Sequence, residues 1–332
     1  FKQKTAYEML RSLVGSEMCI RDRLIVVILG AYTRLADAGL GCPDWPGCYG
    51  QLLVPDVISS EYERPLDVAK AWKEMVHRYA ASTLGLSILI IFLLAAFRKS
   101  EKNQSIKLPA ALLLLVCFQG ALGMWTVTEQ VHPGIVTMHL FGGFTTTSLL
   151  FWLFLNQRPN IQINQSVSKP HKLMFVVVTA LLIFQIFLGG WTSTNYAALS
   201  CGEYFPTCLD QMWPDDMDFK NAYYWGELGV DYEFGVLENQ TRTAIQMVHR
   251  VGALVVTAAI IALSFAFKNY VAFQKNIVII LALLGVQVAL GIINVVMSLP
   301  MFAAVMHNAV ALGLLLSLIS LAHKIFNQKT TS

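Results

Sequence analysis

Of the seven histidines in the chain, four sit in recurring contexts. "MVHR" occurs at 75–78 and again at 247–250, and "TMHLFGG" at 137–143 is answered by "VMHNAVA" at 305–311. His77, His139, His249 and His307 therefore form two matching pairs, each member within an apolar stretch. An ionisable side chain in such a stretch is costly to bury and marks a functional position by default. One such histidine alone reads as a satisfied packing residue. Four in symmetric pairs read as ligands.

One difference between the halves, a matched pair of arginines and two pairs of cysteines also carry chemistry. Glu74 precedes His77 by three residues, whereas Gln246 holds the same place before His249. A carboxylate can accept a proton and an amide cannot, so the His77 pair reads as a reactive site and the His249 pair as a holding or electron-relay site. Without the asymmetry, Glu74 reads equally well as an acid favoured by a helix N-terminus. Arg78 and Arg250 follow the first histidine of each pair and suit carboxylate neutralisation; the competing reading is a cation reaching the interface. Cys42 and Cys48 lie in "GLGCPDWPGC", and Cys201 and Cys208 in "LSCGEYFPTC". Closing the first pair would make a ring of about seven residues, worth about 2.4 kcal/mol on the chain-entropy account. It reads either as a staple on a lid or as a redox pair exchanging with external thiols.

Such residues need elements to hold them. Hydrophobic residues are 55% of the 332 and charged residues 14%, and mean hydropathy is +0.55, well away from a soluble domain with about 25% charged residues. A run of about 20 apolar residues spans a bilayer. Candidate spans fall at 24–36, 74–97, 108–127, 135–155, 173–194, 243–267, 277–299 and 301–322. The expected fold is all-α: a polytopic membrane protein of eight transmembrane helices. Lysine and arginine collect in alternate connections, such as Arg98, Lys99, Lys102 and Lys107, then Arg158, Lys169 and Lys172. Segment 195–242 instead carries nine acids against Lys220 and Arg242. By the positive-inside rule both termini are cytoplasmic, and the cysteine loops face outward, into a compartment that permits disulfides.

The chain also repeats itself. "LGAYTRLADAGLGC" (29–42) parallels "LGGWTSTNYAALSC" (188–201) at an offset of 159 residues, and "FQGALG" (118–123) parallels "VQVALG" (286–291). An even number of spans per half keeps both halves in one orientation, giving two parallel-repeat four-helix bundles. The expected organisation is an N-terminal half at 24–155, a cytoplasmic linker at 156–172, a C-terminal half at 173–323 and a cytoplasmic tail at 324–332. The first span is short, with only Leu24 to Tyr32 apolar before Arg34. Residues 1–23 are expected to be a non-native leader, because "SLVGSEMCIRDR" resembles a translated sequencing adapter; the alternative is an amphipathic lead-in helix. Cys19 goes with that leader. Cys117 is expected to pack inside a span, and His132, His171 and His323 to be ordinary loop or span-end residues.

Zinc takes four protein ligands, or three and a water. Two imidazoles opposed across a bundle suit an iron whose equatorial positions a porphyrin already fills, and bundle cores are where cofactors lodge. The motifs "GAYTRLADAGLGCPDWPGCYG" (30–50), "EMVHRYAASTLG" (74–85), "GMWTVT" (123–128), "VTMHLFGGF" (136–144), "LGGWTSTNYAALSC" and "MVHRVGAL" (247–254) together resemble the haem A synthase family of cytochrome oxidase assembly. The resemblance is to the cysteine-bearing bacterial type, and the short first span departs from it. It implies an oxidoreductase of the bacterial inner membrane that oxidises a ring methyl of haem O to the formyl of haem A, with water as the oxygen source. His77 and His139 would hold the substrate haem, His249 and His307 a stable haem b, with Glu74 assisting at the reacting methyl and Arg78 and Arg250 at the propionates. It further implies contact with haem O synthase and with oxidase assembly factors, an electron acceptor that the sequence does not identify, and no nucleic-acid partner. A dihaem quinol-oxidising cytochrome is a rival, but its haems lie at two depths and its helices often carry two histidines each. A haem carrier or exporter is another, with no need of Glu74 in one half alone.

Overall fold

The computed structural model describes residues 17–57, 62, 64–97, 105–158 and 165–327, the first seven of these as backbone alone. Among them the regular structure is helical, with no strand beyond two isolated bridges. The helices are α1 (Glu17–Leu35), α2 (Val68–Phe97), α3 (Lys107–Thr128), α4 (Pro133–Gln157), α5 (Lys169–Thr194), α6 (Asn239–Ala266), α7 (Gln274–Val296) and α8 (Met301–Phe326). A short 3-10 turn, Val271–Phe273, leads into α7. Among the described residues seven helices are long and apolar enough to cross a membrane, and Leu24–Leu35 makes a shorter apolar one. The expected leader lies mostly outside the described residues, and α1 continues back through its last part to Glu17.

Helix ends follow local chemistry where hydropathy misleads. The span expected to reach 299 stops at Val296. Ser298 and Leu299 turn with φ of 51° and 61°, just ahead of Pro300, which disfavours a right-handed helix at the residue before it. Gln130 and Val131, at φ 47° and 53°, make a comparable turn ahead of Pro133 at the start of α4. Cys117 is exposed on α3 rather than packed within it. Lipid tails are as apolar as leucine, so sequence does not distinguish the lipid face of a span from its packed face.

The chain divides into two compact units, one of residues up to 128 with 138–160, the other of 129–137 with residues from 161 onward. In the first, α1 packs on α2 and α2 on α3, and Ile88, Leu112 and Leu150 form a buried cluster. In the second, α5 contacts α6 and α8, and α7 contacts both of those helices in turn, closing a ring of four. Each unit carries a cysteine loop on its first helix pair. Asp37 and Tyr196, at matching places in the repeat, take left-handed backbone at φ 46° and 53°. Ala38 N–H then donates to Thr33 O at 3.0 Å and Ala197 N–H to Thr192 O at 2.9 Å. Cys48 N–H donates to Gln51 O and Cys208 N–H to Gln211 O, both at 2.7 Å. The repetition read in the letters thus extends to backbone geometry.

Candidate functional site

In the first unit, α2 carries His77 and α4 carries His139, and the two rings stand edge to face with centres 6.4 Å apart and planes at 86°. A metal–imidazole bond is about 2 Å and the ring centre lies about 1 Å beyond the nitrogen, so two rings binding one metal from opposite sides stand about 6 Å apart. The observed separation fits. Nδ1 of His77 and Nδ1 of His139 are out of solvent contact and without a hydrogen-bond partner, as is Nδ1 of His307 on α8 in the second unit. Buried polar atoms ordinarily find partners, so unpartnered imidazole nitrogens in opposed rings suit metal ligation. In the second unit His249 on α6 lies within electrostatic range of His307. Among the described residues no cluster of three or more His, Cys, Asp or Glu could hold a bare metal ion. A planar group supplying the remaining ligands fits the donor set better than a lone cation.

Each imidazole is seated against a glycine on the helix before it. A Cβ added to Gly30 would come 2.9 Å from Cε1 of His77, one on Gly123 3.3 Å from His139, one on Gly189 3.1 Å from His249, and one on Gly291 3.2 Å from His307. The close approach of ring to backbone is what demands glycine in "LGAYT", "LGMWT", "LGGWT" and "LGIIN".

Glu74 is buried, at 4% exposure. Its Oε1 pairs with Arg78 Nη2 at 2.5 Å, and its Oε2 accepts the Cys42 N–H at 2.9 Å. Arg78 Nη1 donates to Asp44 O at 2.9 Å and also to Gly47 O. The disulfide between Cys42 and Cys48 is itself buried, packed with Tyr49 on Ala71 and Met75. Acid, arginine and disulfide loop are therefore one network over the entrance of α2. Gly41 makes the seating possible, since a Cβ there would lie 2.6 Å from the Lys70 backbone. Burial holds the Tyr49 phenol above its ordinary pKa, so it stays a neutral donor to the carbonyls of Arg64 and Pro65 at 3.2 and 3.1 Å.

The second unit repeats the frame without the acid. Cys201 and Cys208 are bonded and pack on Met247. Arg250 donates to Thr207 O at 2.8 Å and Tyr204 O at 3.1 Å, the counterparts of the Gly47 and Asp44 carbonyls, while its Nε is buried without a partner. Gln246 is as buried as Glu74, at 4% exposure, and its Oε1 has no hydrogen-bond partner.

Sequence reasoning passed over His132. It is wholly buried, its Nδ1 accepts the Gly134 N–H at 3.2 Å, and its ring packs on Trp225 and Tyr232 with centres 5.9 and 5.1 Å away. It ties the turn before α4 to the long acidic segment, whose Tyr232 N–H donates to Gln130 O at 3.1 Å. The signal available was the "VHPG" turn, which resembles any other turn in isolation. His171 is a local partner of Ser168 Oγ, at 2.6 Å.

A family model described as cytochrome oxidase assembly protein matches residues 18–319. A protein of Shewanella oneidensis named Heme A synthase is 40% identical over 319 residues, 93% of this chain and 95% of that one. Proteins of the same name from Sinorhizobium fredii and Flavobacterium psychrophilum are 25% and 24% identical, over 87% and 88% of this chain and 83% and 91% of their own.

Proposed function

The chain belongs to the family of cytochrome oxidase assembly proteins and has the function of a haem A synthase; from that premise we propose which residues perform it. The substrate is haem O, held between His77 and His139. The observation that carries this reading is the pair of opposed rings 6.4 Å apart, in the unit that also contains the buried acid. His249 and His307 would hold a haem b, which supplies a one-electron relay when bound. The two units are read as four-helix bundles made by duplication, with the cysteine loops on the outer face of a bacterial inner membrane and both termini cytoplasmic.

Converting the ring methyl to a formyl adds an oxygen, for which water is the proposed source, and releases protons and electrons in equal number. The reaction is at the porphyrin edge, so both axial positions can be filled by histidine throughout. Glu74 is the group to receive a proton: its carboxylate is paired with Arg78, and burial makes it an effective partner for positive charge developing nearby. The disulfide loop, held down by Arg78 and Glu74, limits access of water from the outer side. Arg250 Nε is a buried donor with no partner, which supports a role for Arg250 at a propionate of the second porphyrin; Arg78 would serve the first by its charge, its Nη atoms being bonded to the loop and Glu74.

One observation favours an additional role for Glu74. Both its oxygens are already engaged in holding the loop, so it is also an anchor for the lid. Electrons pass to an acceptor outside the chain, and haem O arrives from the enzyme that makes it.

The test is extraction of pigment from protein purified with and without a source of haem O. Haem b with O or A agrees with the reading. Haem b alone points to an electron-transfer cytochrome and contradicts it.

A further inference from the structure

The helix that carries His139 is held at its outer end in a way that its counterpart in the repeat is not. Gly134 stands five residues before His139, and Phe302 five before His307. Phe302 is bare, at 77% exposure. At the start of α4, by contrast, Val131, His132, Pro133 and Gly134 are all buried, and so is Thr137. The cover comes from the long acidic segment. Trp225 lies against the helix at Gly134, where a Cβ would stand 2.6 Å from Cε2 and Cη2 of the indole. Only glycine leaves room for that ring.

His132 completes the corner. Its Nδ1 accepts the Gly134 N–H, one of the donors that a helix start leaves without an intrahelical partner. Nε2 then carries the ring proton, and it is buried with no partner. Gly226, at φ 89°, brings the chain past this ring, since a Cβ there would stand 3.2 Å from His132 Nε2. Pro300 holds the matching place in the second half, and proline has no side-chain acceptor to offer.

Trp225 is itself rooted in α5. Its ring stacks on Trp191, with centres 6.2 Å apart and planes at 23°. Trp191 is buried, and its Nε1 donates to Ala222 O at 2.8 Å. Thr137 Oγ1 lies 3.2 Å from Thr194 Oγ1, also on α5, where the second half has Val305 in place of Thr137. The first turn of α4 is thus pinned within the second unit, to which residues 129–137 belong. His139 follows two residues later on the same continuous helix, in the first unit. Gly134 and His139 are about 7.5 Å apart along the axis, so the hydrogen-bonded helix passes a displacement of one to the other.

We propose that Trp225 and His132 are positioning residues for the substrate porphyrin: by pinning the outer end of α4 they set the stance of His139, so that the acidic segment of the second half governs how firmly the first site holds haem O. The inference rests on the ligation reading above. A misplacement of about 1 Å can cost about 100-fold in rate, and the methyl to be oxidised must be presented to Glu74. The second site has only to retain its haem, and the matching end of α8 is left open.

The experiment compares release of each haem from purified, loaded protein to excess apomyoglobin, with pigment analysis to identify which haem has left. Gly134→Ala should speed release of haem O or A about 10-fold, the lower end of what loss of support around a metal ligand costs. Alanine is the better helix former, so a weaker helix is not the cause of that loss. Trp225→Ala should act alike. The two changes together should be no worse than Trp225→Ala alone, because the glycine acts through the indole. His132→Asn, which keeps an acceptor for the Gly134 N–H, should retain more haem O than His132→Leu. In each weakened variant the low-spin signature of the substrate haem in electron paramagnetic resonance should shift, while haem b keeps its content and its own signature. Unchanged release of haem O or A from both Gly134→Ala and Trp225→Ala overturns the proposal. Equal loss of both haems overturns it too, since the segment would then support the fold at large. His139→Ala separates the inference from its premise: if that protein still holds its full haem O, the ligation reading has failed, whereas loss in His139→Ala with full retention in the other two variants defeats the pinning alone.

Discussion

Replacing Glu74 with glutamine writes the second half of the chain into the first, since Gln246 holds the repeated position. The structure separates the two jobs of the residue. Glutamine keeps an oxygen to accept the Cys42 N–H, and Arg78 keeps the loop carbonyls of Asp44 and Gly47, much as Arg250 does with Thr207 and Tyr204. What is lost is the charge on one side of a buried pair. Hydrogen bonds to charged groups contribute about 1.5–3 kcal/mol and neutral ones about 0.5–1.5, so the cost in stability should be about 1–2 kcal/mol. That is below the 3–5 kcal/mol or so expected when a buried partner is left uncompensated, the situation Glu74→Ala would create for Arg78. The chemical cost is larger, because loss of a positioned proton acceptor lowers rates about 10²–10⁴-fold. Haem A formed per hour from supplied haem O, set beside the thermal midpoint and haem content of the same preparation, reads both effects. Normal haem A yield from Glu74→Gln would refute the proton-acceptor role and leave Glu74 as an anchor of the loop.

Serine at both Cys42 and Cys48 should lower stability by about 2.4 kcal/mol on the loop-entropy account and leave turnover intact; lost turnover with an unchanged melting profile would favour the redox reading. Gly41→Ala should cost about 1–3 kcal/mol, the usual penalty for overpacking, because its Cβ would press on the Lys70 backbone. The measurable sign is faster proteolysis of segment 42–57. Asp218 is held below the ordinary aspartate range first by the Asn221 amide, and further by the main-chain N–H of Asn221, Thr241 and the main-chain N–H of Lys220. A carboxyl with a depressed pKa contributes its full stability above the unfolded value and loses it as pH falls through the folded one. Hydrogen exchange around 218–241 should stay slow from neutral pH down to the ordinary aspartate range and quicken below it. Asp218→Asn should exchange quickly at neutral pH.

The long spans are legible in sequence because crossing a bilayer imposes composition over some twenty residues, and seven helices meet that standard among the described residues. Their ends are less so: "VVMSLP" is apolar but for Ser298, and little besides Pro300 signals that α7 has already stopped. The histidines and Glu74 stand out as ionisable groups in apolar runs. The glycines that admit the rings, Gly30, Gly123, Gly189 and Gly291, do not stand out, since their role shows only in the close approach of ring to backbone. Arg78 draws notice in sequence for the charge it offers a ligand, while its visible bonds go to the cysteine loop. Sequence gives the charge of such a group but not the direction in which its nitrogens point. His132 is hidden because its partners, Trp225 and Tyr232, lie some hundred residues on.

The central claim is that His77 and His139 clasp the porphyrin that is to be oxidised. Haem content of purified His139→Ala, prepared beside the unaltered protein with haem O supplied, tests it most directly. The account predicts haem b at its usual level with haem O and haem A gone. A preparation that keeps its full complement of O or A would contradict it.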